Sequence, residues 1–250
     1  MRGLAPGESI SAALKSLKHS DPEVRRSAAA ALEDFGVEAK SAIPILTQTL
    51  LDSDLTVQVA ATRALGGIGR DAVPALTQAL AHSNKYVRRE AIWALGRLGP
   101  AGEAALPALM NALQDSDLRV RLGAAQAVGA MGPKAQDAIP ALIESLRDTN
   151  LVFCRLAAQA LNRIGSASLP ALHEASQSAD DFVRREALWA LKQLTSPNSD
   201  FNADQFPVRS DLLARAKDTP VFKDGSNPKA TVAISLHPRG IQQTTKIPLT

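Results

Sequence analysis

From about residue 9 onward, apolar side chains recur every three or four positions, the spacing of one helical face, and the pattern is reset at regular intervals. Proline marks the resets. Pro44, Pro74, Pro107, Pro140 and Pro170 follow one another at 30, 33, 33 and 30 residues, and ten residues after each stands Asp54, Asn84, Asp117, Asn150 or Asp180. Self-similarity at such a period is the signature of a repeat array. Asp21 holds the same place in a first repeat whose opening helix, about Ser9 to Lys18, lacks the proline, so six repeats fit between residue 1 and about 195. All variation in length falls between Gly36, Gly69, Gly99, Gly132 or Gly165 and the next proline. That gap of eight or five residues predicts a surface loop.

Each repeat reads as two helices. Proline at the first helical position opens the first, because that position has no intrahelical N–H partner to lose. Asp or Asn caps the second, its side-chain oxygen taking free backbone N–H groups, and a glycine about fifteen residues later supplies the stop. Counted from the cap, positions +3, +7, +10, +11 and +14 of the second helix are apolar, as in Val87, Ala91, Ala94, Leu95 and Leu98 or Val120, Ala124, Ala127, Val128 and Met131. At about 100° per residue they share one third of the circumference, a single buried face. A repeat of this size cannot cover that face alone. The expectation is therefore an all-α fold, an armadillo-type α-solenoid of about six two-helix repeats over residues 1–195.

Thr195 stands where the sixth glycine is expected, and Ser196, Pro197, Asn198 and Ser199 follow, so residues 196–250 read as a C-terminal extension. It holds Phe201, Phe206 and Phe222, a short helix expected over 210–217, an alternating stretch at 230–236, and a tail from about His237. Two of the phenylalanines are candidates to cover the last repeat.

Composition sharpens the picture at three points. Apolar residues make up 45% of the chain but aromatic ones only 4%, so the core must be built from small side chains, and the alanines at +7 and +10 let helices approach closely. The longest apolar run, Ala28 to Leu32, is far short of the ~18 residues a membrane span needs, and the opening residues carry no secretory pattern; the expected location is cytoplasmic. A single cysteine, Cys154, cannot form an internal disulfide, and His19, His82, His173 and His237 lack metal-ligand spacing.

Repeats such as "ALPALMNALQDSDLRVRLGAAQAVGAMG" and "AIPALIESLRDTNLVFCRLAAQALNRIG" resemble HEAT-like repeats of the type found in phycobilisome (bilin) lyases, over about residues 10–195. The resemblance implies that second helices line a concave surface where partners dock. It also implies an alternative role: holding a bilin, with its propionates on Arg89, Arg155 or Arg185 and its rings on Trp93 or Trp189, or remodelling a phycobiliprotein.

The candidate functional residues are those that folding does not require. Opposite the buried face lie +2, +5, +9 and +12: Tyr86, Arg89 and Trp93 in repeat 3; Arg119, Leu122 and Gln126 in repeat 4; Val152, Arg155, Gln159 and Asn162 in repeat 5; Phe182, Arg185, Trp189 and Lys192 in repeat 6. Both tryptophans and the sole tyrosine fall here, and Trp, Tyr and Arg are the residue types enriched at binding hot spots. Val87–Leu95 and Val183–Leu191 are nearly one segment written twice, which suggests matching aromatic-arginine stations. The arginines at +4 (Arg25, Arg88, Arg121, Arg184) are expected to pair with cap aspartates of neighbouring repeats, and Cys154 to be an inert, partly buried thiol. The leading expectation is a protein-binding scaffold without a cofactor, its arginines selecting an acidic partner surface; a net charge of only +3 and no lysine-rich stripe disfavour nucleic acid.

Overall fold

The computed structural model describes residues 6–195, and every regular element among them is helical. Six helix pairs follow in order: α1 (Pro6–Ser16) with α2 (Pro22–Phe35), α3 (Ile43–Thr49) with α4 (Leu55–Ile68), α5 (Val73–Ala79) with α6 (Lys85–Leu98), α7 (Leu106–Ala112) with α8 (Leu118–Ala130), α9 (Ile139–Ser145) with α10 (Leu151–Ile164), and α11 (Leu169–Ala175) with α12 (Asp181–Thr195). This is an α-solenoid, as the repeat predicts. The extension expected at 196–250, with its phenylalanines, helix and strand, lies outside the described residues. No helix among those described is long and apolar enough to cross a membrane.

The predicted caps form at all six second helices. Asp21, Asp54, Asn84, Asp117, Asn150 and Asp180 each accept a backbone N–H from the first turn, a contribution of about 1 kcal/mol apiece. Pro44 and its equivalents occupy the second residue of their helices rather than the first, a place that also lies in the unbonded first turn.

The expected surface loops are ordered 3-10 turns instead. The eight-residue gaps become seven-residue segments, Gly36–Ala42, Gly99–Ala105 and Gly132–Ala138, and the five-residue gaps become three-residue ones, Arg70–Ala72 and Ser166–Ser168. They are ordered because they bury alanines, among them Ala39, Ala42, Ala72, Ala105 and Ala138. Gly69 and Gly165, at φ of 87° and 91°, enter the short connectors in a conformation that other residues rarely adopt.

The buried arc of each second helix is wider than one wheel suggests. Position +8 is also buried, as Ala29, Thr62, Ile92, Ala125 and Ala158, because it faces the next repeat. In the sixth repeat the same position, Leu188, is 52% exposed. Position +12, read from the sequence as outward, is the closest seam: a Cβ added at Gly66 would lie 2.8 Å from the Ala94 Cβ, and one at Gly129 would lie 3.1 Å from the Ala160 Cα. Asn162 holds this place in repeat 5, and both polar atoms of its amide are buried without a partner among the described residues.

Junctions between repeats are of two kinds. Across the seven-residue connectors, arginine at +4 pairs with an aspartate 27 residues on: Arg25 with Asp52 and Arg88 with Asp115, each through two bonds of 2.7 and 2.8 Å. Arg121 follows the same rule, 3.3 Å from Asp148. The acceptor sits two residues before the cap and is not the cap itself, since the cap carboxylate is already held by its own helix. Arg184 pairs within its own helix, with Asp181.

Across the three-residue connectors the +4 residues are Gln58 and Cys154. There the Asn84 amide donates to Gln58 Oε1 at 3.0 Å, and the Asn84 backbone N–H donates to His82 Nδ1. The charges pair on the second-helix face instead. Arg63 donates to Glu90 at 3.0 and 3.2 Å, and Arg155 to Glu186 at 3.3 Å.

Candidate functional site

The exposed side of the second helices forms one surface, and the fold brings every aromatic residue expected there beneath a cation. The Arg97 guanidinium lies 4.7 Å from the Trp93 ring centre, Arg155 lies 4.1 Å from Trp189, Arg185 lies 4.9 Å from Phe182, and Arg89 and Lys85 each lie 5.7 Å from Tyr86. Such pairs hold a ring and a cation in fixed relation, each contributing about 0.5–1 kcal/mol at exposed sites. Tyr86 is 50% exposed, while Trp93, Phe182 and Trp189 are half-buried, with Trp189 packed against the core. Large rings with one open side are suited to gripping a surface.

Repeat 4 lies between these stations. Its Arg119 and Gln126 are exposed and Leu122 is half-buried, as is Gln159 in repeat 5. All are on the expected face, and Arg119, the one charged residue of the four, has no ion-pair partner among the described residues. Arg155 differs from its expectation as a ligand group. Its Nε lies 3.1 Å from Glu186 Oε2 and its guanidinium lies over Trp189, so it positions that ring and holds a buried carboxylate. The +12 residues, Asn162 included, belong to the seam.

A row the sequence reading passed over takes their place. At +13 stand Arg97 and Arg163, both exposed. The wheel contains the signal, because +13 lies about 40° from +9 on the open side. The stem of Arg163 crosses the neighbouring helix, its Cδ 3.4 Å from where a Gly129 Cβ would be.

Electrostatics divide the face. In repeat 1, burial pushes the Glu33 carboxyl above its ordinary range, with the nearby Arg63 opposing it. Glu90 raises the Arg63 guanidinium through their bond. From repeat 3 to repeat 5, Arg89, Arg97, Arg119 and Arg163 have no carboxylate within ion-pair distance among the described residues, while Arg155, and Arg63 in repeat 2, are matched by Glu186 and Glu90. The centre of the face is thus positive.

Covalent chemistry finds no support at Cys154. Burial, reinforced by the charges of Asp148 and Glu186, pushes its thiol up to about 11, and Sγ donates to the Asp148 carbonyl at 3.0 Å. The nucleophilic thiolate is therefore suppressed. Two open hollows of about 450 and 550 Å³ lie elsewhere, one by Arg70 and Pro100 and the other by Ser9 and Ala31.

These features define an α-helical repeat protein with a laterally exposed array of aromatic–cation pairs. The chain belongs to the HEAT-repeat family, whose model matches residues 10–82, 43–105 and 73–162, more than half of the chain in all. No curated protein matches it in sequence. Among solved structures it is similar to the complex of CpcE and CpcF of phycocyanin lyase from Nostoc sp. PCC7120, with 26% identity and a TM-score of 0.52 over 78% of this chain and 79% of that one. It is also similar to an engineered protein, with 24% identity and a TM-score of 0.51 over 74% of this chain and 96% of that one.

Proposed function

We propose that the protein is a non-enzymatic docking scaffold that grips a protein partner along its second-helix face. Trp93, Trp189, Tyr86 and Phe182 are its anchors, and its arginines select an acidic partner surface. One observation carries the reading: all four rings stand on the side of the helix that folding leaves open, each beneath a cation. Rings placed there are of use to a partner more than to the core.

The test compares the full chain with its Trp93→Ala/Trp189→Ala variant as bait, with Lys134→Ala as a surface control. The variant is expected to keep its helicity and to melt within a few degrees of the parent, yet to lose the proteins that the parent and the control both retain. Unfolding of the variant, or an unchanged set of captured proteins, overturns the proposal.

The likeness to the phycocyanin lyase complex favours a second reading, in which the same face holds a linear tetrapyrrole. Arginines would pair with its two propionates and a tryptophan would stack on its rings. Titrating a bilin with the protein and recording the visible spectrum decides this; an unchanged spectrum at high micromolar protein removes it.

A further inference from the structure

We infer that the partner meets repeats 3 to 5 through an extended acidic segment that carries two carboxylates about five residues apart, with a small or apolar residue between them. This rests on the docking role proposed above and deepens it. The pattern comes from how charge is distributed among the rows. At +5 and +13, repeat 3 presents Arg89 and Arg97, repeat 4 presents Leu122 and Ala130, and repeat 5 presents Arg155 and Arg163. Two cationic stations thus flank a saddle that is neutral at these two positions, with the exposed Arg119 at +2 adding a single charge beside it.

Not all of these charges are available. Arg155 is committed to Glu186, so the unmatched charge of repeat 5 on this face rests on Arg163. In repeat 3 it rests on Arg97 and Arg89. The Arg97 head is held against Trp93, and the Arg163 stem lies over Gly129, so part of each side chain is already placed before any partner arrives. Ordering them costs little on binding. The saddle offers the half-buried Leu122 to an apolar side chain and the exposed Gln126, donor and acceptor in one group, to a peptide bond.

Spacing sets the motif. Helices packed through glycine and alanine lie at the close end of the usual range, so two steps along the array cover roughly 16 Å. An extended chain advances about 3.3 Å per residue, which places the second carboxylate about five residues after the first. A single nucleic-acid strand would need successive rings for its bases to stack on, and repeat 4, between the aromatic stations, carries no aromatic residue.

Fluorescence anisotropy with the full chain tests this. One labelled peptide carries Asp at positions five apart flanking an alanine; a second has the same composition with the Asp residues adjacent; a third replaces Asp by Lys. The first is expected to bind at least about tenfold more tightly than the second, with affinity falling as salt is added. Arg97→Glu/Arg163→Glu, folded by circular dichroism, should erase that preference and bind the lysine peptide instead. Equal binding of the two Asp peptides, no saturation up to about 1 mM, indifference to the arginine changes, or displacement by an equimolar single-stranded oligonucleotide overturns the inference. If the tryptophan variant loses its partners while the arginine variant keeps them, the docking face stands and the acidic segment falls.

Discussion

The long junctions after repeats 1, 3 and 4 and the short ones after repeats 2 and 5 solve the same packing problem with different chemistry. With a seven-residue connector, the +4 position and the residue two before the next cap are 27 apart and hold arginine and aspartate. With a three-residue connector the same two positions are 24 apart and hold Gln58 and His82, or Cys154 and Ser178. The ion pair then moves to the contact between neighbouring second helices, where Glu90 and Glu186 receive Arg63 and Arg155. The twin segments Val87–Leu95 and Val183–Leu191 both follow a short connector. Their shared glutamate is therefore explained by packing, whereas the tryptophan three residues later is not. Likeness between repeats separates into a part that joins them and a part left for a partner.

The largest test of this contrast is Arg155→Ala. The Glu186 side chain is only 4% exposed, and removing its closest partner is expected to cost about 3 kcal/mol by urea denaturation. Arg185, at 3.6 Å, keeps the loss at the low end. Adding Glu186→Leu should recover most of it, and a loss under about 1 kcal/mol would show that the short junction is held by something else.

The matching change at a long junction, Arg88→Ala, should cost less, about 2 kcal/mol, because Asp115 still accepts the Asp117 N–H. A larger loss than at Arg155 would reverse the ranking of the junctions. Smaller still, and of opposite sign, Asn162→Ala removes two buried unpartnered atoms from the repeat 5 seam and should raise stability by about 1 kcal/mol. A lower melting temperature in that variant would mean that the amide has a partner.

Acid titration gives the finest distinction. The bond from Arg25 holds the Asp52 carboxyl below its ordinary value, and the Thr56 hydroxyl does the same for Asp54. A carboxyl with a lowered folded pKa adds stability that is complete above its unfolded value, near pH 4, and is lost as pH falls through the folded value. Melting temperatures should therefore hold from pH 7 to about pH 5 and fall below about pH 4, with a shallower fall in Asp52→Asn.

The sequence was most readable where a residue acts within its own helix. Prolines, caps and glycines act locally, so their spacing located every helix pair from Asp21 to Thr195. It was least readable where a residue answers to a neighbour. Ile92 at +8 and Gly66 at +12 lie on the ridge that meets the next repeat, a constraint that a single helical wheel does not contain. The same limit hid Asp52 and Asp115 as the true partners of the +4 arginines, whereas Arg97 and Arg163 were within reach of the wheel itself, which sets +13 beside +9 on the open side. Tyr86, Trp93 and Trp189 were legible because a core built from alanine has no need of them.

Junction type also decides where the array can be shortened. Repeat 4 is the one repeat bordered on both sides by long connectors, so excising residues 99–131 would bring Arg88 to the register of Asp148 and restore a rung already used elsewhere in the chain. Excising repeat 3 instead would set Gln58 against Asp115, a pairing found at no junction. The cut at repeat 4 would exchange Gly123, which lies under Ile92, for the bulkier Leu156, so Ile92→Ala is its natural companion. Recombination between repeats is thus permitted at particular boundaries and forbidden at others, and an array that looks uniform carries its own rules of splicing.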